Sequence, residues 1–182
     1  MATEFETQVL EIDPDEIVKK LRELGAEEKA EVFQKRWIFD IACLNAEQPG
    51  LGEWIRVRQA GDKVDVTYKN KKDLSMTGTD EVELAVDDFD KAVEIFGKLN
   101  CFTGKYYQEN KRKQFVLGDL EFDLDYWPNI PPFLEIEGKS EEAVKEGLKL
   151  LGLEDEENGH YGLINIYKKY GINLHEYKEM RF

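Results

Sequence analysis

The sequence predicts an α+β fold: an eight-stranded antiparallel β-barrel whose tunnel has a charged lumen, with helices packed outside. Three observations carry this. The elements run strand, helix, four strands, helix, four strands, helices. The tight turns "AGDK" at 60–63 and "LGDL" at 117–120 read as hairpin loops, so consecutive strands are antiparallel. Each strand also alternates between an apolar and a charged face. Eight or so such strands favour closure into a barrel.

The elements follow in order. The stretch "EFETQVLEI" at 4–12 reads as a strand with Glu4, Glu6 and Gln8 on one face and Phe5, Thr7 and Val9 on the other. Its even face then turns apolar at Leu10 and Ile12. The first helix is marked by Asp13 as cap, Pro14 at the first position and Glu16 at capping-box spacing. Ile17, Leu21 and Leu24 share its apolar face and Gly25 ends it. Strands follow at 33–42, 53–59, 64–70 and 79–87. A second helix starts near Asp88 with Phe89, Ala92, Val93, Phe96 and Leu99 as its stripe. Strands return at 103–109, 111–117, 120–127 and 133–138. A third helix starts at Ser140 and buries Val144, Leu148 and Leu151 before Gly152, and a fourth covers Tyr161 to Tyr170.

The 182 residues are read as a single domain spanning 1–182. A domain this long buries roughly 70% of its unfolded surface, so a core is available without disulfides. Cys43 and Cys101 lie at no metal or redox spacing and read as free thiols of a reducing compartment. "MATEFETQ" has neither the basic nor the apolar region of a signal peptide, and no apolar run is long enough to cross a bilayer. A cytoplasmic protein without membrane contact is expected. The net charge of −14 repels nucleic acid and anionic membranes at long range. It does not exclude a small anion, because local arginines and a divalent metal reverse the potential inside a pocket.

The charged faces hold the functional signal. Arg56 and Arg58 share a face, as do Asp65, Thr67 and Lys69; Glu81 and Glu83; Arg112 and Gln114; Asp119, Glu121, Asp123 and Asp125; and Glu135 and Glu137. A sheet with one face in water accounts for the alternation alone. Three points favour a lumen instead. Glu is depleted in strands, yet abundant here. E-x-E occurs at 4/6, 81/83 and 135/137, and like charges on neighbouring strands repel unless an ion intervenes. The amphipathic helices also need an apolar sheet face to cover, which turns the polar face inward. Carboxylates on one wall suit Mg²⁺ or Mn²⁺, and arginines on another suit phosphate oxygens.

With these residues in view, the chain resembles the CYTH superfamily, the triphosphate tunnel metalloenzymes. "EFETQ" resembles the E-x-E-x-K motif, "IRVR" the R-x-R strand, and "DEVELAVDD" the central acidic strand. "VTYKNK" resembles the strand carrying a tunnel lysine, and "DLDYWPNIPPFLEIEG" resembles the closing acidic block. The resemblance covers nearly the whole chain in order. It is nearest the branch of class IV adenylate cyclases and thiamine-triphosphatase-like proteins. It implies a small-molecule triphosphate bound with divalent cations. Glu4, Glu6, Glu135 and Glu137 match metal-side acids. Arg56, Arg58, Lys69 and Arg112 match phosphate-gripping bases, and Gln8 joins them as a substrate-binding position. Glu83, Asp125 and Lys69 match the catalytic set, Glu83 as the acid that orients the bases.

Two departures stand out. The motif lysine is Gln8, and the K-x-R pair reads Asn110-Lys111-Arg112. Lys111 or Lys113 compensates only if a bulge flips the face. "PNIPP" replaces a glycine-containing turn and is expected to reshape that tunnel mouth. The leading expectation is a metal-dependent phosphohydrolase acting on tripolyphosphate, thiamine triphosphate or a nucleoside triphosphate. The alternatives are a class IV adenylate cyclase and a non-catalytic binder of polyphosphate or nucleotide. Trp54, on the face of Arg56, is the best candidate to meet an organic ring. Trp37 and Trp127 read as packing residues, and His160 and His175 as surface residues. Oligomeric state is left open, a homodimer included.

Overall fold

The structure, a computed structural model, describes residues 5–42, 51–73 and 79–182. Its strands are β1 (Phe5–Val9), β2 (Glu27–Glu28), β3 (Val32–Ala42), β4 (Gly52–Ala60), β5 (Lys63–Lys71), β6 (Thr79–Val86), β7 (Gly104–Leu117), β8 (Leu120–Tyr126), β9 (Phe133–Gly138), β10 (Asn158–Gly159) and β11 (Glu179–Met180). Its helices are α1 (Pro14–Glu23), α2 (Phe89–Gly97), α3 (Glu141–Leu151) and α4 (Leu163–Lys169). Eight long strands run in the order β1-β9-β8-β7-β3-β4-β5-β6, with every neighbouring pair antiparallel. The α+β class and the antiparallel tunnel are as expected.

Closure differs from expectation. The strand path ends at β6 on one side and at β10, outside β1, on the other. Among the described residues no backbone ladder joins the two ends. Side chains span the seam instead: Lys71 Nζ at the end of β5 lies 3.5 Å from the His160 carbonyl just past β10.

Two strand boundaries also differ. The segments 103–109 and 111–117 are one 14-residue strand, β7. β3 pairs along it from Gly104 to Arg112, and β8 takes over from Lys111 to Leu117, so Asn110 is held in the ladder despite its poor strand propensity. β7 carries no register shift, so Lys111 and Lys113 stay on the outer face. Lys113 pairs with Glu28 at 2.7 Å, and Lys111 lies 5.3 Å from the Phe182 ring. The first strand stops at Val9 because Glu11 adopts a positive φ of 58°.

The outer face of the sheet is the core. α1 begins at Pro14 because Asp13 accepts hydrogen bonds from the amides of Asp15 and Glu16. α3 is capped by Ser140 and ends at Gly152, which takes the left-handed conformation. The two helices bury Ile17, Leu21, Val144, Leu148 and Leu151 against Val9, Phe115, Phe122, Leu124, Leu134 and Ile136. Each such side chain contributes about 1.5–3 kcal/mol on full burial, which fixes the apolar face outward. α2 covers β3–β5 in the same way, with Phe89 and Ala92 on Phe39, Val57 and Val64. The charged faces are therefore left to line the interior. α4 is the exception to helices outside. With Leu174 and Met180 it packs on Leu10, Trp127 and Phe133, and it closes one end of the tunnel. Leu10 and Ile12, a continuous apolar face in the sequence, thus part company: Leu10 joins this plug and Ile12 the α1–α3 core.

Candidate functional site

The tunnel encloses about 910 Å³ and is lined by the charged strand faces. Glu6, Gln8, Arg56, Arg58, Lys69, Glu83, Arg112, Asp125, Glu135 and Glu137 all reach its wall. Glu4 lies outside the described residues. Trp54 also lines the cavity, whereas Trp37 packs on the outside against Phe39 and Tyr107.

One wall is acidic. Pairing of β1 with β9 sets Glu6 opposite Glu137 and Gln8 opposite Glu135. Gln8 is 3% exposed, and its Nε2 donates to Glu135 Oε2 at 2.9 Å and to Glu6 Oε1 at 3.2 Å. Its Oε1 accepts from the Tyr161 amide at 2.9 Å, so both ends of the side chain are committed. His160 Nδ1 lies 3.0 Å from Glu6 Oε1, an ion-pair contact short of full hydrogen-bond alignment. Burial pushes Glu6 up, but the His160 contact, the charges of His160 and Lys69 and the Gln8 bond outweigh it and hold Glu6 at about 2. Glu135 goes the other way. Burial, and then the negative charge of Glu6, push it up to about 8, against the pull of Arg112.

Arg112 joins the acids beyond. Its Nε and NH2 donate to the two oxygens of Asp125 at 2.9 and 2.5 Å, its NH1 to Asp123 at 2.5 Å, and its NH2 also to Glu135 at 3.0 Å. Asp125 accepts a further bond from Asn110 Nδ2 at 3.0 Å and is almost wholly buried. Burial raises Asp123 to about 6, partly offset by Arg112.

The opposite wall is basic. Arg58 reaches Asp65 at 2.9 Å, and Arg56 reaches Thr67 at 3.0 Å and Asp65 at 3.5 Å. Glu83, half exposed at the rim, lies 3.7 and 3.8 Å from the two guanidiniums. Lys69 pairs with Glu81 at 2.7 Å. Burial and the adjacent charge of Arg58 push Arg56 below the usual arginine range.

Several lumen residues were not singled out from the sequence, Arg36, Lys71 and His160 among them. Arg36 is buried on β3 beside Arg58. Lys71 is 4% exposed, on the face of Lys69. His160 lines the tunnel rather than the surface, whereas His175 is half exposed beside Asp40, as expected. The period-two alternation points to Arg36, on the face of Gln34, and to Lys71, two past Lys69. Nothing local marks His160, which follows the two-residue strand β10. Lys168 is exposed but reaches the cavity lining.

Among the described residues no three acids, histidines or cysteines gather as a ready-made ligand set. The donor chemistry of Glu6, Glu135 and Glu137 nonetheless fits a hard divalent cation, which takes carboxylate oxygens, and pairing of β1 with β9 brings the three to one stretch of the wall. None of the described helices is long and apolar enough to cross a membrane.

The family model of the CYTH domain matches residues 2–159. No curated protein matches the sequence. Among solved structures, the PH1012 protein of Pyrococcus horikoshii OT3 is 23% identical with a TM-score of 0.74, covering 90% of this chain and 98% of its own. A Vibrio parahaemolyticus protein proposed to be an adenylate cyclase is 14% identical with a TM-score of 0.71, covering 92% and 98%. A Hippeastrum protein proposed to be an adenylyl cyclase, and described as having a dominant triphosphatase activity, is 18% identical with a TM-score of 0.56, covering 89% and 91%. These three likenesses establish the fold.

Proposed function

The chain belongs to the CYTH domain family, and from that premise we propose that it is a metal-dependent phosphohydrolase acting on a triphosphate held in the tunnel. One observation supports this most. The tunnel brings Glu6, Glu135 and Glu137 together on one wall and Arg56, Arg58 and Lys69 on the other. A cation relieves one wall and a polyanion the other, so a metal-bound triphosphate complements both.

Glu6, Glu135 and Glu137, with Glu4, are the residues that would hold Mg²⁺ or Mn²⁺. When bound, such an ion neutralises phosphate charge and polarises the attacked phosphorus. Arg56 and Arg58 offer guanidinium donors to phosphate oxygens, Lys69 adds a point charge, and Arg112 adds positive charge from within its cage of acids. They hold the chain in line and stabilise charge developing on the leaving group. Glu83 aligns Arg56 and Arg58 from the rim. Asp125 acts through Arg112 and Asn110 as a positioning residue, since its oxygens are already engaged. The whole of 1–182 works as one domain in this reading, which the lining residues after 159 support.

The test is phosphate release from tripolyphosphate, thiamine triphosphate and nucleoside triphosphates with Mg²⁺ or Mn²⁺. Turnover of at least one, abolished by a chelator, is expected. No release from any of them refutes the proposal. A second reading, a non-catalytic binder, draws support from Gln8, whose amide already bridges the two metal-side acids. It predicts a triphosphate-induced rise in melting temperature without turnover. Cyclic AMP made from ATP would indicate the cyclase instead.

A further inference from the structure

Arg36 stands in the middle of β3, opposite Arg58 on β4 and Gln108 on β7. It lines the tunnel and is 9% exposed. The partners of its guanidinium are neutral. They are the side-chain oxygens of Gln34, 2.8 Å away, and Asn110, and the ring of Trp127 at 4.7 Å. Among the described residues no carboxylate pairs with it, and its Nε is buried without a hydrogen-bond partner. The other lumen arginines are treated differently: Arg56 and Arg58 reach Asp65, and Arg112 reaches Asp123, Asp125 and Glu135.

A buried cation with only neutral partners is costly unless an anion completes its shell. Burial and the charges of Arg56 and Arg58 push Arg36 well below the usual arginine range, which is the same deficit seen electrostatically. Asn110 cannot supply the missing interaction to a ligand itself. Its Nδ2 donates to Asp125 and its Oδ1 accepts from Arg36, so it fixes the guanidinium in place. Trp127 supports the other face of the fork.

We propose that Arg36 is a phosphate-binding residue of the tunnel, supplying from β3 the positive charge that Asn110 does not supply from β7. This rests on the triphosphate reading above. Its ligand is a phosphate oxygen lying between Arg36 and Arg58, met by the guanidinium N–H groups that Gln34 and Asn110 leave free. The cation has moved to the neighbouring strand, and the tunnel keeps its grip on the anion.

The experiment is calorimetric titration of tripolyphosphate into the metal-stripped protein, which reads binding apart from turnover. Arg36→Gln is expected to weaken binding on the order of 10- to 100-fold. Arg36→Gln with Asn110→Lys is expected to recover about tenfold or more of that loss, because the charge returns from β7. A folded Arg36→Gln variant that binds like the wild type overturns the assignment and leaves the triphosphate reading standing. A wild-type protein that binds no tripolyphosphate, either metal-stripped or with Mg²⁺ present, overturns both. Should Arg36→Gln fail to fold, Arg36→Lys decides: losing the guanidinium held by Gln34 and Asn110 weakens binding about tenfold, and unchanged affinity refutes the role.

Discussion

Gln8→Lys is the substitution that most directly probes the acidic wall. It places an ammonium where an amide now lies 2.9 Å from Glu135 and 3.2 Å from Glu6. In the wild type Glu135 titrates at about 8 against an ordinary 4.5, through burial and then through Glu6. The folded state therefore binds this proton more tightly than the unfolded state. Its stabilising effect is complete below 4.5 and is lost as pH rises towards 8. Glu6, held at about 2, makes a contribution that disappears only on acidification, and Asp123 at about 6 has largely titrated by pH 6.5. Between pH 6.5 and 8 the decline due to Glu135 amounts to about 2 kcal/mol, at about 1.4 kcal/mol per unit. A lysine at position 8 favours the carboxylate and should remove most of that slope. It also strips the Tyr161 amide of its acceptor, at a cost of about 1–3 kcal/mol that is the same at every pH. The informative quantity is thus the slope, measured by urea denaturation at four or five pH values. A wild type with flat stability across this window, or a variant with an unchanged slope, would refute the account of the wall.

Further outcomes are expected elsewhere. Asp125→Ala leaves Arg112 and Asn110 short of a buried partner and should cost about 3–5 kcal/mol by denaturant unfolding; a loss under 1 kcal/mol would show that Asp123 and Glu135 hold Arg112 alone. Gly147→Ala on α3 puts a methyl 2.8 Å from Ile136 Cγ2, and a net loss of about 1–2 kcal/mol should appear in melting curves, where a gain would contradict the close packing. Lys71→Met removes a buried ammonium whose contact is a carbonyl 3.5 Å away. The ligand-free protein should melt no lower, while the thermal shift caused by tripolyphosphate shrinks; an unchanged shift would exclude Lys71 from anion binding.

Much of this was legible in the sequence because the walls obey a period of two. Arg56, Arg58, Lys69, Glu135 and Glu137 were placed in the lumen by alternation and by the need of α1, α2 and α3 for an apolar face. Helix starts were equally plain, since Asp13, Asp88 and Ser140 cap through local bonds. What failed to show was anything settled by partners distant in the chain. β7 reads as two strands around Asn110, yet β3 and β8 hold it as one. His160 reads as a surface residue, yet 154 positions separate it from the Glu6 it faces. The seam between β1 and β6 was hidden for the same reason: strand count suggests closure, whereas pairing depends on side chains that meet only in the folded chain.

Gln8 ties two parts of the molecule that the sequence keeps apart. One end of its amide answers to the carboxylates of the wall, and the other holds the backbone at Tyr161, just ahead of the helix that stops the tunnel. A proton or ion that draws on Glu6 or Glu135 competes for the same amide that anchors this stopper. If that competition turns the amide, occupancy of the wall and seating of the stopper are linked, and each changes the other by an equal free energy. A lysine here would bring charge but lacks an acceptor for Tyr161. At position 8 the chain carries a latch in place of a charge.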